Sequence, residues 1–196
     1  MPARGNHRAR HNRRVTDAAL PSPREVVAFW RDAGPARWFA KDEAFDREFV
    51  ARFHAAHDAA ARGELDHWGA TGEGALALCI LLDQFPRNAF RGTARVYATD
   101  TKARDVADAA RDAGLDADVD PPLRRFLHLP FMHSEKLADQ ERCVALSGDN
   151  PDARRWAEHH RDIIRRFGRF PHRNDVLGRA NTPEEKAFLA EGGFSG

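Results

Sequence analysis

The chain has 196 residues, 31 of them basic and 30 acidic, and a formal net charge of +1 at pH 7. That length fits one domain able to bury about 70% of its unfolded surface. Charges that nearly cancel give no global field for nucleic acid or a membrane, and no apolar run reaches the ~20 residues of a spanning helix or looks like a secretory leader. A cytoplasmic protein is expected, with neither nucleic acid nor membrane as partner. Cys79 and Cys143 sit in apolar helical patterns and read as small buried hydrophobes in a reducing compartment. Basic charge is almost all arginine, with lysine only at 41, 102, 136 and 186.

The segment Met1 to Leu20 carries Arg4, Arg8, Arg10, Arg13 and Arg14 with almost nothing apolar, and is expected to be a disordered basic tail. No aromatic residue is interleaved there to stack on bases. From residue 21 to 196 the chain reads as one all-helical domain. Ser22-Pro23-Arg24-Glu25 is a capping box that opens a helix through Trp30 toward Gly34. A second helix spans about Asp42 to Arg62, with Phe45, Phe49, Phe53 and Ala56 on one face.

A third helix starts near Glu73 and carries Leu76, Leu78, Ile80, Leu81 and Leu82 into Phe85-Pro86, which is expected to break it. Apolar nearly all round, it should be the central helix. Asp100 reads as the cap of a fourth helix ending at Gly114. Asp120-Pro121-Pro122 starts a short turn, and Ser134 is expected to open a helix through Leu137 and Val144 to Gly148. Asn150-Pro151 caps the next, with Gly168 past its end. Thr182-Pro183-Glu184-Glu185 is a second capping box, before a last helix around Phe188. No segment alternates apolar and polar residues as a strand does. The expectation is all-α, seven or eight helices.

One polar phrase occurs twice. Asp83-Gln84-Phe85-Pro86-Arg87-Asn88 runs on to Arg91-Gly92, and Gly168-Arg169-Phe170-Pro171-His172-Arg173-Asn174 runs on to Leu177-Gly178-Arg179. Arg and Asn side chains of this kind can clamp a carboxylate or phosphate with paired N–H donors. Asp83 is expected to pair with Arg87 and pin the loop, leaving Arg91 freer. Between the phrases, His133 and Glu135 flank Ser134, either as acid–base groups or as cap residues. His160 shares an apolar face with Trp156, Ile163, Ile164 and Phe167, so it reads as a core histidine. His159 and Asp162 lie on an adjacent face.

A metal would have to gather His133, Glu135, His159, Asp162 and His172, whose spacings match no ligand signature, so no metal or other cofactor is expected. There is no nucleophile elbow, no low-pKa cysteine environment and no phosphate-cradling glycine loop.

These phrases also resemble a bacterial family catalogued as domain of unknown function 924. The resemblance rests on Trp38-Phe39 with Phe45-Asp46, on Gly63-Glu64-Leu65-Asp66 with Trp68, and on Leu82 through Asn88 with Arg91-Gly92. It continues through Leu129 to Glu135, Asp139 to Arg142, His160 to Ile164, Phe167 to Asn174 and Leu177 to Arg179. It covers roughly residues 22 to 190 and implies an all-helical fold similar to tetratricopeptide-type α-superhelices. It implies no established activity and so carries over no catalytic residue.

The first expectation is a binding protein that recognises an anionic group of a peptide or small metabolite. Arg87, Asn88, Arg91, Arg169, His172, Arg173 and Asn174 would supply donors, with His133 and Glu135 at the edge. The alternative is an enzyme, most plausibly a hydrolase, using His133, Glu135, Asp162 or His172, with or without a metal. A third reading makes every loop arginine a structural clamp on an interaction scaffold. What separates them is whether the two loops and His133 meet around one accessible cavity.

Overall fold

The structure, a computed structural model, describes residues 20–194. The expectation for the basic tail therefore falls outside the described residues, Leu20 apart. Among the described residues there is no strand, and seven helices have eight residues or more. They are α1 (Pro23–Ala33), α2 (Glu43–Ala61), α3 (Gly72–Cys79), α4 (Asp100–Asp112), α5 (Leu137–Leu146), α6 (Pro151–Phe167) and α7 (Pro183–Ala190), joined by short helical turns.

The start signals work as their chemistry dictates. Ser22 and Thr182 form reciprocal capping boxes with Glu25 and Glu185, and the Asn150 side chain accepts from the Ala153 N–H. Each satisfies backbone donors that a helix leaves unpaired at its first turn. At the other end of α6, Gly168 takes a left-handed φ of 71° that a side chain would strain.

The core is built on aromatic rings. Phe29 stacks on Phe45 and Phe49 with centroids 5.2 and 5.3 Å apart, Phe49 meets Phe85 edge-on at 5.2 Å, and Trp30 meets Phe126 at 5.3 Å. Such pairs contribute about 0.5–1.5 kcal/mol each beyond area burial. The Ala75–Leu82 run is buried on every side, with α1 and α4 packed against it. The all-round apolar pattern of α3 has this cause. A smaller cluster of Ile163, Ile164 and Phe170, covered by Phe167, Phe188 and Phe194, holds the second polar phrase against α6.

The first Phe-Pro does not stop its helix. The chain passes from α3 into one π-helical turn, Ile80–Gln84, and resumes as α-helix over Phe85–Ala89. Phe85 N–H reaches back five residues to the Ile80 carbonyl, and Pro86 has no N–H to offer. Three carbonyls upstream are instead taken by side chains: Leu81 by His57 Nδ1 at 2.9 Å, Leu82 by Thr99 Oγ1 at 2.5 Å, and Asp83 by Arg87 at 2.7 Å. A buried carbonyl left unpaired costs ~1–3 kcal/mol, so these donors make the π-turn tenable. In the second phrase the stop is Gly168, two residues before Phe170-Pro171. The two phrases are alike in letters and different in backbone.

Candidate functional site

The π-turn sets Asp83 inside the protein, fully buried. Its Oδ1 accepts from His133 Nδ1 at 2.7 Å and lies 3.1 Å from Arg87 Nη1, while Oδ2 accepts from Gln84 Nε2 at 2.6 Å. Burial pushes the carboxyl up, but Arg87 and then His133 outweigh it and hold Asp83 at about 2. Asp83 is therefore ionised and acts only as an acceptor. It follows that His133 Nδ1 carries the hydrogen, which leaves the lone pair of the neutral ring on Nε2. Among the described residues Nε2 has no hydrogen-bond partner, and it is not one of the sealed, unpaired atoms. Burial and the Arg87 charge lower the His133 pKa, opposed by Asp83 and Asp100.

Arg87 also grips Asp100, the first residue of α4, through two bonds of 2.9 and 3.1 Å. Asp100 is no side-chain cap, as it was expected to be; it receives Arg173 from the second phrase at 3.4 Å. Arg173 donates its other terminal nitrogen to the His133 carbonyl at 2.9 Å. Its guanidinium lies 4.4 Å from the Tyr97 ring centre and 4.5 Å from that of Phe170, within cation–π range. Arg173 is 6% exposed, and its Nε is buried without a partner. The two phrases and His133 thus meet, through Asp100.

They meet on a cleft of about 340 Å³, lined among others by Tyr97, Asp100, Arg104, His133, Lys136 and Arg173. The loop bearing His133 is pinned by the fully buried Gln140, whose Nε2 donates to the carbonyls of Met132 at 2.7 Å and Ser134 at 2.6 Å. Ser134 does not open a helix: α5 starts at Leu137, and Ser134 Oγ donates to Asp139 at 2.5 Å. A larger groove of about 660 Å³ lies beside α4, where Leu78, Val106 and the Lys102–Asp66 pair line it. No histidine and neither polar phrase reaches it.

The other expected site residues are engaged elsewhere. Asn88 and Arg91 both bind Asp46 of α2, at 2.6 Å and at 3.1–3.2 Å. Arg169 holds Glu185 through bonds of 2.6 and 2.7 Å, and Asn174 joins Asn181, Glu185 and Arg179. Glu135 accepts from Arg179 at 2.8 and 3.0 Å and from the Phe170 N–H at 2.8 Å, so both oxygens are occupied. Burial raises its pKa, and Arg179 with the Phe170 N–H lowers it further. Glu135 ties the second phrase to the His133 loop. Asp162 is an exposed partner of Arg161 and Arg165.

His172 turns toward Phe194 and Phe170, with centroids 5.0 and 5.6 Å away, and its Nδ1 is buried without a partner. His160 Nδ1 donates to the Trp156 carbonyl at 2.8 Å. Among the described residues no three His, Cys, Asp or Glu side chains converge to hold a metal, and no helix is long and apolar enough to cross a membrane. Tyr97, Asp100, Arg104 and Lys136 of the cleft were not foreseen as site residues. The one sequence signal was Lys136, a lysine in an arginine-rich chain.

Fold and cleft together define an all-helical protein in which two arginine-bearing loops are locked around a buried Asp–His pair. The chain belongs to the bacterial protein family of unknown function DUF924, whose profile matches residues 26–193, close to the span over which its phrases resembled that family. It is similar to a protein of unknown function from Agrobacterium tumefaciens whose structure is known. The two are 53% identical, with 86% of this chain and 97% of that one covered and a TM-score of 0.84. No curated protein matches it.

Proposed function

We propose that the cleft binds a small anionic molecule. The observation that carries this reading is Arg173, a nine-tenths buried cation with an unpaired Nε at the wall of a cleft that Arg104 and Lys136 also line. The carboxylates on the same wall are already matched, Asp100 by Arg87 and Glu135 by Arg179. An incoming carboxylate or phosphate would therefore meet donors without meeting an uncompensated negative charge. The site is narrower than the sequence suggested: Asn88 and Arg91 are engaged with Asp46, Arg169 and Asn174 with Glu185, and Arg87 stands behind the cleft on Asp83 and Asp100.

Thermal unfolding against inorganic phosphate, succinate, glutarate and citrate tests it. A ligand at about 100 times its Kd adds ~2.7 kcal/mol, several degrees in Tm for a protein of this size. We expect one of these anions to give such a shift, and Lys136→Ala and Arg104→Ala to reduce it. No shift with any of the four, or shifts unchanged in both variants, would refute the reading.

A further inference from the structure

We propose that His133 is the general base of a hydrolase that cleaves small carboxylate-bearing esters in this cleft, with Asp83 as its positioning residue. This rests on the anion-binding reading above and adds an activity to it. Three separate elements hold one imidazole in place. The π-turn supplies Asp83 to Nδ1, the second phrase supplies Arg173 to the His133 carbonyl, and α5 supplies Gln140 to the carbonyls on either side. A loop needing only to turn does not require a buried carboxylate. π-turns inside helices, for their part, are frequent at functional sites.

The arrangement suits proton transfer. With Nδ1–H fixed on Asp83, the outward Nε2 is a proton acceptor, and the carboxylate behind stabilises the imidazolium once it forms. The groups facing the ring are Asp83, Arg87, Asp100 and Arg173, with His160 near by. Burial and Arg87 keep the resting ring neutral, which is the form a base needs. Water is the nucleophile: Ser134 Oγ is engaged with Asp139 and the Lys136 N–H, and no cleft hydroxyl is bonded to His133 Nε2.

In the reaction, water oxygen bonds to the acyl carbon as its proton passes to Nε2, and the carbonyl electron pair moves onto oxygen. Lys136 and Arg104 are the cations that line the cleft for the negative charge, Arg104 while also paired with Asp105 and Asp139. The carbonyl then re-forms, the C–O bond to the alcohol breaks, and the departing oxygen takes the proton back from Nε2–H. Ester and water give acid and alcohol, and the protein ends as it began.

Mono-p-nitrophenyl succinate and p-nitrophenyl acetate are the probes, with succinate binding followed separately by calorimetry. We expect hydrolysis of the succinate ester above the buffer rate and faster than the acetate. His133→Gln should lose about 10²–10⁴-fold in kcat while still binding succinate. Asp83→Asn should shift the acid limb of kcat/KM to lower pH, because the imidazolium loses its partner; a merely structural role would leave that limb in place. If Asp83→Asn does not fold, His133→Gln decides alone. Asp162→Asn, which alters an exposed residue that does not line the cleft, should behave as wild type. No hydrolysis above buffer, an undiminished rate in His133→Gln, or no preference for the charged ester overturns the proposal. Succinate binding without hydrolysis sinks this inference and spares the anion site, whereas no hydrolysis together with no binding of phosphate, succinate, glutarate or citrate sinks both.

Discussion

Asn174 is fully buried, and both ends of its amide are used: Nδ2 donates to Asn181 and Glu185, and Oδ1 accepts from Arg179. Truncation to alanine strands the Nε of Arg179 and the side-chain Oδ1 of Asn181 in a partly sealed place. A cost of roughly 1–3 kcal/mol follows for leaving buried partners unsatisfied. Arg91 of the first phrase holds Asp46 with a side chain 41% exposed, where water can replace the guanidinium, so Arg91→Ala is expected to cost under about 1 kcal/mol. Urea unfolding of the two variants checks the ranking, and an equal or larger loss in Arg91→Ala would contradict it. The residue types of the site were legible in the doubled phrase, but their allocation was not. Asp46, Asp100 and Glu185 decide which arginine faces the cleft and which clamps a helix, and nothing near the phrases names those partners.

At the scale of elements, caps announce themselves because the bonds involved span three or four residues. Ser22, Asn150 and Thr182 all act where their local patterns place them. The π-turn escaped for the opposite reason. Proline removes one N–H, and whether the helix then stops depends on who else can satisfy the freed carbonyls. Here the donors are His57, Thr99 and Arg87, two of them from other elements. A second non-local constraint governs the start of α3. A Cβ on Gly74 would stand 1.9 Å from the Trp68 carbonyl oxygen, and one on Gly72 2.5 Å from that of Leu115. Gly→Ala within a helix ordinarily gains about 0.5–1 kcal/mol. At Gly74 the sign should reverse, since backbone rather than a flexible side chain blocks the methyl. We expect Gly74→Ala to lower Tm by several degrees. A rise would mean that the turn at Asp66–Ala70 yields more easily than its packing implies.

For the molecule as a whole, helix content and the identity of the central helix were legible because hydrophobic periodicity is a property of burial, whereas the meeting of the two phrases depends on tertiary packing. That packing leaves its mark on the response to acid. Burial, first among the causes, lowers His160 to about 3, and His128 and His172 to about 4. His133, His159 and His172 add to the effect at His160, Arg111 and Arg124 at His128, and Arg173 at His172. An unfolded histidine takes its proton near 6.5. As pH falls below that value the unfolded chain binds protons that the folded one refuses, so stability declines from about pH 6.5 toward 4. Each such group contributes a slope of up to ~1.4 kcal/mol per pH unit, less for the partly exposed His128 and His172. The buried carboxylates act in a different window. Asp83 and Glu185, both at about 2, stabilise the fold above the ordinary carboxylate range and lose that contribution only below it. Urea midpoints should therefore drop between pH 7 and 5 while these acids remain ionised, and His160→Gln should flatten that drop. A midpoint that holds constant to pH 5 would contradict the buried, neutral state of these histidines.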